Sequence, residues 1–219
     1  MTGAAMVGAV LAAGVVATPA TAPVADDFAI DIPAGFSERP AMAKRLAATT
    51  GIAGASVNAW AYVAEAGGAG IYVTAAKTRA PAAATGAENP ASVARAVLAE
   101  VRSAPEAASP EAGSTETISW KLGEGENFLD AHHQWRHLSN ETTTLTRALV
   151  YVDADDGVHL VRADCVIGSA APASLTSMCE TTLASLHLTG PASSRKPLPA
   201  MAIEAGGDTA AAAAAPALT

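Results

Sequence analysis

The stretch that decides the fold runs from Leu145 to Leu188 and reads LTRALVYVDADDGVHLVRADCVIGSAAPASLTSMCETTLASLHL. Its first part, 145–152, is rich in β-branched, aliphatic and aromatic residues, which favour a strand. The Asp156–Gly157 pair that follows is typical of a hairpin turn, because both residue types tolerate positive φ angles. We therefore expect a strand, a tight turn, a returning strand and then a helix.

The returning strand and the helix each present one cysteine toward the same predicted core. Alternation along 158–167 places Cys165 on one face and the polar pair Arg162 and Asp164 on the other. The helix that follows carries an apolar stripe at i, i+3, i+4 spacing. That stripe consists of Leu175, Met178, Cys179, Thr182, Leu183 and Leu186. The strand face and the helix stripe are predicted to pack against each other.

Cys165 and Cys179 are the only cysteines of the chain, and three interpretations apply to them. They form a disulfide, they are two buried thiols, or they take part in redox or metal chemistry. The disulfide is favoured because both residues face the core and because the N-terminus indicates export to an oxidising compartment. For so short a loop, chain entropy predicts a stabilisation of roughly 3 kcal/mol.

The two ends of the chain differ from its middle. Residues 1–25 carry no charged side chain and include an apolar run, as in a secretory signal peptide, with cleavage expected near Ala20. No Lys or Arg precedes that run, so an uncleaved N-terminal anchor and a plain disordered tail are the alternatives. Residues 26–189 are predicted to form a single domain, and the Pro- and Ala-rich residues 190–219 a disordered tail.

Several further elements are predicted within the domain. The alternation in Phe28–Pro33 indicates a strand, and 57–63 and 70–77 indicate a hairpin. A helix is expected to begin at Pro90 and to end at Pro105. Ile118, Trp120 and Leu122 then alternate along one face of a strand that is expected to end in a turn at 123–125.

Composition excludes several classes of function. Lys and Arg number 13 against 21 Asp and Glu, giving a formal charge of -8, which disfavours binding to nucleic acid or anionic lipid. The alanine-rich ends account for the apolar composition, so no membrane span is expected after processing. The sequence contains no nucleophile elbow, zinc-protease helix or phosphate-binding loop. We therefore predict no catalytic residue, cofactor or metal, and treat the chain as a non-enzyme.

Potential ligands cluster only in the segment 131–137, AHHQWRH. On a helix His133 and His137 would lie one turn apart and could share a metal ion. On a strand they would lie roughly 13 Å apart, too far for one zinc ion. The alternation favours a strand, so His133, Trp135 and His137 are predicted to form a polar sheet face or, alternatively, a ligand-binding face. His159 and His187 stand alone in the sequence and are expected to be structural.

The order of elements resembles that of the PsbP-like fold. The matching segments are Phe28–Phe36 and Ala148–Leu188, and the other elements match by their order alone. The family includes a photosystem accessory subunit, a Ran-binding nuclear transport factor and bacterial envelope proteins of the DcrB type. The resemblance implies an αβα sandwich around an antiparallel sheet, and a non-catalytic accessory role. No metal-binding or nuclear-transport residue of the family can be placed on this sequence.

Taken together, the patterns predict an α+β domain with helices covering an antiparallel sheet. The predicted function is that of an exported, periplasmic or secreted accessory or binding protein of the bacterial cell envelope, with an unidentified envelope protein as its partner. One alternative is a metal or small-ligand carrier that uses the face of His133, Trp135 and His137. A second alternative is a hydrolase whose acid and base come from distant positions.

Overall fold

The computed structural model describes residues 20–21, 27–50, 54–79, 90–108 and 115–198. Its main feature is a seven-stranded antiparallel sheet with the order β4-β5-β6-β10-β9-β8-β7. These strands are β4 (Phe36–Glu38), β5 (Ser56–Ala64), β6 (Ala69–Arg79), β7 (Thr115–Gly125), β8 (Phe128–His137), β9 (Thr143–Val152) and β10 (Gly157–Ile167). The predicted α+β class and antiparallel sheet are confirmed.

Short strands at both ends of the domain lie outside this sheet. They are β1 (Ala20–Thr21), β2 (Phe28–Ala29), β3 (Asp31–Ile32) and β11 (His187–Leu188). β1 pairs with β3, and β11 pairs with β2, both antiparallel. The single strand predicted for Phe28–Pro33 is therefore divided in two. Its predicted inward face is correct, since Phe28, Ile30 and Ile32 are buried.

Helices cover both faces of the main sheet, as the αβα prediction requires. Among the described residues they are α1 (Pro40–Thr49), α2 (Pro90–Ala108) and α3 (Ala173–Ser185). α3 packs on one face with Tyr151 and Cys165, and α2 packs on the opposite face with Val150 and Leu160. Neighbouring residues of one strand thus enter different cores, because side chains alternate across a sheet. α1 packs against β5 and β6.

Two predicted boundaries differ from the structure. α2 continues past Pro105 to Ala108. A proline removes the hydrogen bond to the carbonyl four residues earlier, here that of Val101, and its ring crowds that carbonyl, but so near the end of the helix few further bonds are affected. The strand β7 continues through the predicted turn to Gly125, and the chain reverses at Glu126 and Asn127 instead. Asn127 has a φ of 63°, a conformation that asparagine accepts more readily than most residues.

A β-bulge interrupts the predicted alternation of β7. The register shifts between Thr117 and Ser119, which leaves Ile118 as the extra residue. Ile118 is 45% exposed, whereas Trp120 and Leu122 pack toward α2. A bulge on an edge strand also opposes pairing with other chains.

The chain after β11 stays attached to the domain at least to Leu198. Residues 190–198, named here the C-terminal strap, include a 3-10 turn at Ala192–Ser194. The backbone N–H of Lys196 donates to the carbonyl of Val152 at 2.8 Å, and the Asn127 amide donates to the carbonyl of Ala192 at 3.0 Å. These bonds hold in place the first part of the segment predicted as a tail, and residues 199–219 lie outside the described residues. No helix in the described ranges is long and apolar enough to cross a membrane.

Candidate functional site

The two cysteines lie where the sequence places them, at the contact of β10 with α3. Their sulfur atoms are joined at 1.96 Å, and their Cα atoms lie 5.8 Å apart. Both residues are fully buried. The bond links the central sheet to the helix that follows it.

His133, Trp135 and His137 lie on strand β8 and not on a helix. His133 is 3% exposed and Trp135 is 5% exposed, both on the sheet face that α2 covers. The Trp135 and His137 rings meet edge to face with centroids 4.6 Å apart. In the described part of the chain, no group of three His, Cys, Asp or Glu side chains is arranged to hold a metal ion. The ligand-binding role of this face remains a prediction.

The environment of His133 favours its neutral form. Burial lowers the pKa of His133, and the Arg162 guanidinium lowers it further. Its Nε2 atom lies 3.2 Å from the Thr117 hydroxyl, and the Trp120 ring meets it edge to face at 5.2 Å. Among the described residues its Nδ1 atom has no hydrogen-bond partner, although the Val101 carbonyl is near enough to favour the protonated ring. Since Pro105 has no N–H, that carbonyl also lacks its usual helical donor.

An open groove lies on the opposite side of the molecule, between β3 and the outer face of α3. We call it the α3 groove, and its volume is about 410 Å³. It is lined by Asp31, Ile32, Pro33, Ser177, Met178, Thr181, Thr182 and Ser185. Its surface is mainly apolar, with hydroxyl groups supplied by one side of the helix. Apolar walls with a few polar groups are typical of ligand and peptide sites.

Strand β3 forms one wall of the α3 groove and is held there by the helix. The backbone N–H of Asp31 donates to the Ser185 hydroxyl at 2.8 Å. β1 pairs with β3, with Ala20 opposite Ile32 and Thr21 opposite Asp31. β3 therefore already pairs with one short extended segment that carries no charged side chain.

A network of charged side chains joins the N-terminal segment to the β9–β10 turn. We call it the His159 clasp, and it consists of Asp27, Lys77, Tyr151, Asp153 and His159. The His159 ring lies between two carboxylates, with Nε2 2.8 Å from Asp153 and Nδ1 3.4 Å from Asp27. It stacks on the Tyr151 ring at 4.5 Å, and the Tyr151 hydroxyl donates to Asp27. Lys77 approaches Asp153 at 2.7 Å.

The contacts in the His159 clasp shift the pKa values of His159, Asp27 and Asp153 toward their ionised forms. Burial acts against the protonated imidazole, but the contacts with Asp27 and Asp153 prevail and raise the pKa of His159. The contact with His159 lowers the pKa of Asp27. Burial opposes ionisation of Asp153, yet hydrogen bonds from Lys77, His159 and the Gly157 N–H hold its pKa below the ordinary range. The two carboxylates therefore favour the protonated form of the His159 ring.

Neither the α3 groove nor the His159 clasp was predicted from the sequence. Met178 was assigned to the buried stripe of α3, but it is only half-buried and lines the groove. His159 is not isolated, because its partner Asp27 comes from the far end of the domain. Only the position of Asp153 could have been interpreted from the sequence, since an aspartate before a hairpin turn often accepts hydrogen bonds from backbone N–H groups. It does so here from Asp155 and Gly157.

No protein-family model matches the chain. No curated protein matches it significantly either. Among solved structures, the chain is similar to the solution structure of cyanobacterial PsbP (CyanoP) from Synechocystis sp. PCC 6803. The identity is 14% and the TM-score is 0.48, over 83% of this chain and 98% of that chain. The similarity is too low to carry the role or partners of that protein over, and the DcrB-type branch remains a prediction.

Proposed function

We propose that this chain is an exported, non-enzymatic accessory domain of the bacterial cell envelope that binds an extended segment of a partner protein in the α3 groove. The observation that carries the proposal is the groove itself, because one of its walls is β3, a strand that pairs with an added segment, and the other is α3. Peptides recognised by added strand pairing gain affinity from main-chain hydrogen bonds and specificity from neighbouring side-chain pockets. β3 would supply the main-chain hydrogen bonds, and α3 would supply the side-chain pocket.

The pairing of β1 with β3 indicates the chemistry of the partner. Ala20 and Thr21 are small and uncharged, and they occupy the edge in antiparallel register. A partner segment that replaces β1 would share these properties and would place apolar side chains against Met178. The signal cleavage expected near Ala20 would remove half of β1. Processing would then open this edge to the partner.

The disulfide supports an extracytoplasmic location, because such bonds persist in oxidising compartments and are rare in the cytosol. It also holds α3, one wall of the groove, against the sheet. Reduction is therefore expected to lower the stability of the fold that forms the groove.

Site-specific photo-crosslinking in cells that express the chain tests the proposal. A benzophenone amino acid replaces Thr181, which is exposed and lines the α3 groove. The matched control places it at Ala184, which is exposed on the same helix but does not line the groove. We expect a protein adduct in the envelope fraction from position 181 only, which Met178→Glu abolishes. The adduct site should lie in an extended segment whose synthetic peptide binds the purified chain.

Three outcomes contradict the proposal. Equal adducts from both positions would show non-specific contact, and an adduct that persists in Met178→Glu would place the partner elsewhere. A peptide that binds equally well after N-methylation of its pairing amides would exclude strand addition, because methylation removes the main-chain donors.

A further inference from the structure

A second cleft lies where the C-terminal strap crosses the start of β8 and the middle of β9. Its volume is about 320 Å³. Phe128, Leu149, Leu186 and Leu188 supply apolar walls. Arg195 reaches it from the strap, Arg147 from β9, and Glu126 lies at its exposed rim. The cleft is separate in its lining from the α3 groove.

Arg195 brings a permanent positive charge that forms no direct ion pair in the described part of the chain. Its guanidinium forms no ion pair with any described carboxylate and donates to the carbonyl of Gly190. The guanidinium carbon lies 6.0 Å from the ring centroids of Phe128 and of Tyr151. A guanidinium has five N–H groups in a planar fork, so donors remain for a ligand.

The backbone around Arg195 is fixed before any ligand arrives. The Asn127 amide donates to the carbonyl of Arg195 at 3.3 Å, and Asp153 bridges Arg195 in antiparallel register. The next residue, Lys196, bonds to the carbonyl of Val152. A preorganised cation loses less conformational freedom on binding than one on a free tail.

The other arginine does not add a second unbalanced charge. Arg147 binds Asp130 with two hydrogen bonds of 3.0 and 2.8 Å and donates to the carbonyls of Leu183 and Ala184 at the end of α3. Burial opposes ionisation of Asp130, but His132 and Arg147 lower its pKa to about 2, so the pair stays charged and internally balanced. One unpaired cation beside apolar walls fits one anionic group on an apolar body.

We propose that this cleft binds a small organic monocarboxylate with a compact apolar body, such as an aromatic or branched-chain acid. The carboxylate would pair with the Arg195 fork in the bidentate manner typical of this side chain. The apolar body would contact Phe128 and Leu188. A volume near 320 Å³ lies at the small end of ligand pockets, which limits the body to about one ring.

An NMR titration of the purified, oxidised full chain tests this proposal with benzoate as the probe. Benzamide, which has the same shape without the charge, is the ligand control. We expect benzoate to shift resonances of Phe128, Leu188 and Arg195, and benzamide to bind at least tenfold more weakly. Arg195→Gln should weaken benzoate binding at least tenfold. Lys196→Gln removes a neighbouring cation that pairs with Asp156 at 2.7 Å, and it should leave binding unchanged.

Two further variants keep the test decisive if Arg195→Gln does not fold. Leu188→Trp fills the cleft without altering its charge and should abolish binding, whereas Glu126→Gln should preserve or strengthen it. Equal binding of benzoate and benzamide would overturn the proposal, as would equal losses in Arg195→Gln and Lys196→Gln. The absence of any shift at roughly 10 mM benzoate would also overturn it, since a ligand of this size reaches millimolar affinity in a fitting site.

Discussion

Breaking the Cys165–Cys179 disulfide should lower the free energy of unfolding by about 3 kcal/mol, a large part of the total for a domain of this size. The magnitude follows from the loop that the bond closes, because the two residues are separated by 14 positions. Without the bond, the unfolded chain regains the conformational freedom of that loop. The contacts of α3 with the sheet in the folded chain are available in both the oxidised and the reduced form.

Urea unfolding followed by tryptophan fluorescence measures this difference. The oxidised and reduced forms of the native chain are compared first, because both retain the two sulfur atoms in the core and differ only in the bond. The m-value should rise on reduction, since the unfolded chain without the cross-link exposes more surface. A Cys165→Ala/Cys179→Ala variant is the control and should be insensitive to reductant.

Two results would refute this reasoning. If reduction lowers the free energy of unfolding by less than about 1 kcal/mol, the loop is already ordered in the unfolded chain and the entropic argument fails. If the Cys165→Ala/Cys179→Ala variant responds to reductant as strongly as the native chain does, the effect does not come from this bond.

Three other perturbations test the charged contacts and the edge strand. The stability that His159 contributes should be fully present below its ordinary pKa of 6.5 and be lost as pH rises through its raised pKa in the folded chain. The stability that Asp27 and Asp153 contribute should be fully present above their ordinary pKa of 3.8 and be lost as pH falls through their lowered pKa values. His159→Gln should therefore flatten the stability profile above pH 6.5 in thermal unfolding, and an unchanged profile would exclude the clasp as its cause. Arg147→Met should cost about 3 kcal/mol in urea unfolding, because the half-buried Asp130 keeps only the exposed His132 ring as a partner and two carbonyls of α3 lose their donor. Arg136→Met, whose ion pair with Glu116 is exposed, should cost under about 0.5 kcal/mol, and equal costs of the two variants would contradict this reasoning. Ile118→Thr should leave stability within about 0.5 kcal/mol, because the bulge exposes this side chain, and a loss above 2 kcal/mol would show that it is buried.

The elements that the sequence predicted best are those defined by local patterns. Alternation along 158–167 correctly separates the Cys165 face from the face of Arg162 and Asp164. The helical stripe correctly places Cys179 and Leu183 in the core. Both patterns repeat within a single element, so no knowledge of distant partners is needed to interpret them.

The features that the sequence did not predict depend on contacts between distant segments. The α3 groove requires β3 to lie beside a helix from the other end of the domain, and the His159 clasp joins Asp27 to the β9–β10 turn. The bulge at Ile118 depends on the register with β8, which period-two sorting does not reveal. The strap after β11 is polar and proline-rich, and it is held by hydrogen bonds to Asn127 and Val152 that leave no apolar signature.

The pairing of β6 with β10 has a consequence for the order in which the chain can fold. Ala69 lies opposite Ile167 and Arg79 opposite Gly157, so the middle of the sheet joins segments that are synthesised far apart. Such a fold has a high contact order, and its sheet closes slowly because a long loop must be ordered first. A nascent chain that has produced β4, β5 and β6 can form at most an incomplete sheet until β10 follows. Late closure of this kind leaves the polypeptide incompletely folded for longer, which would favour the export proposed above, because a translocation channel admits an unfolded chain.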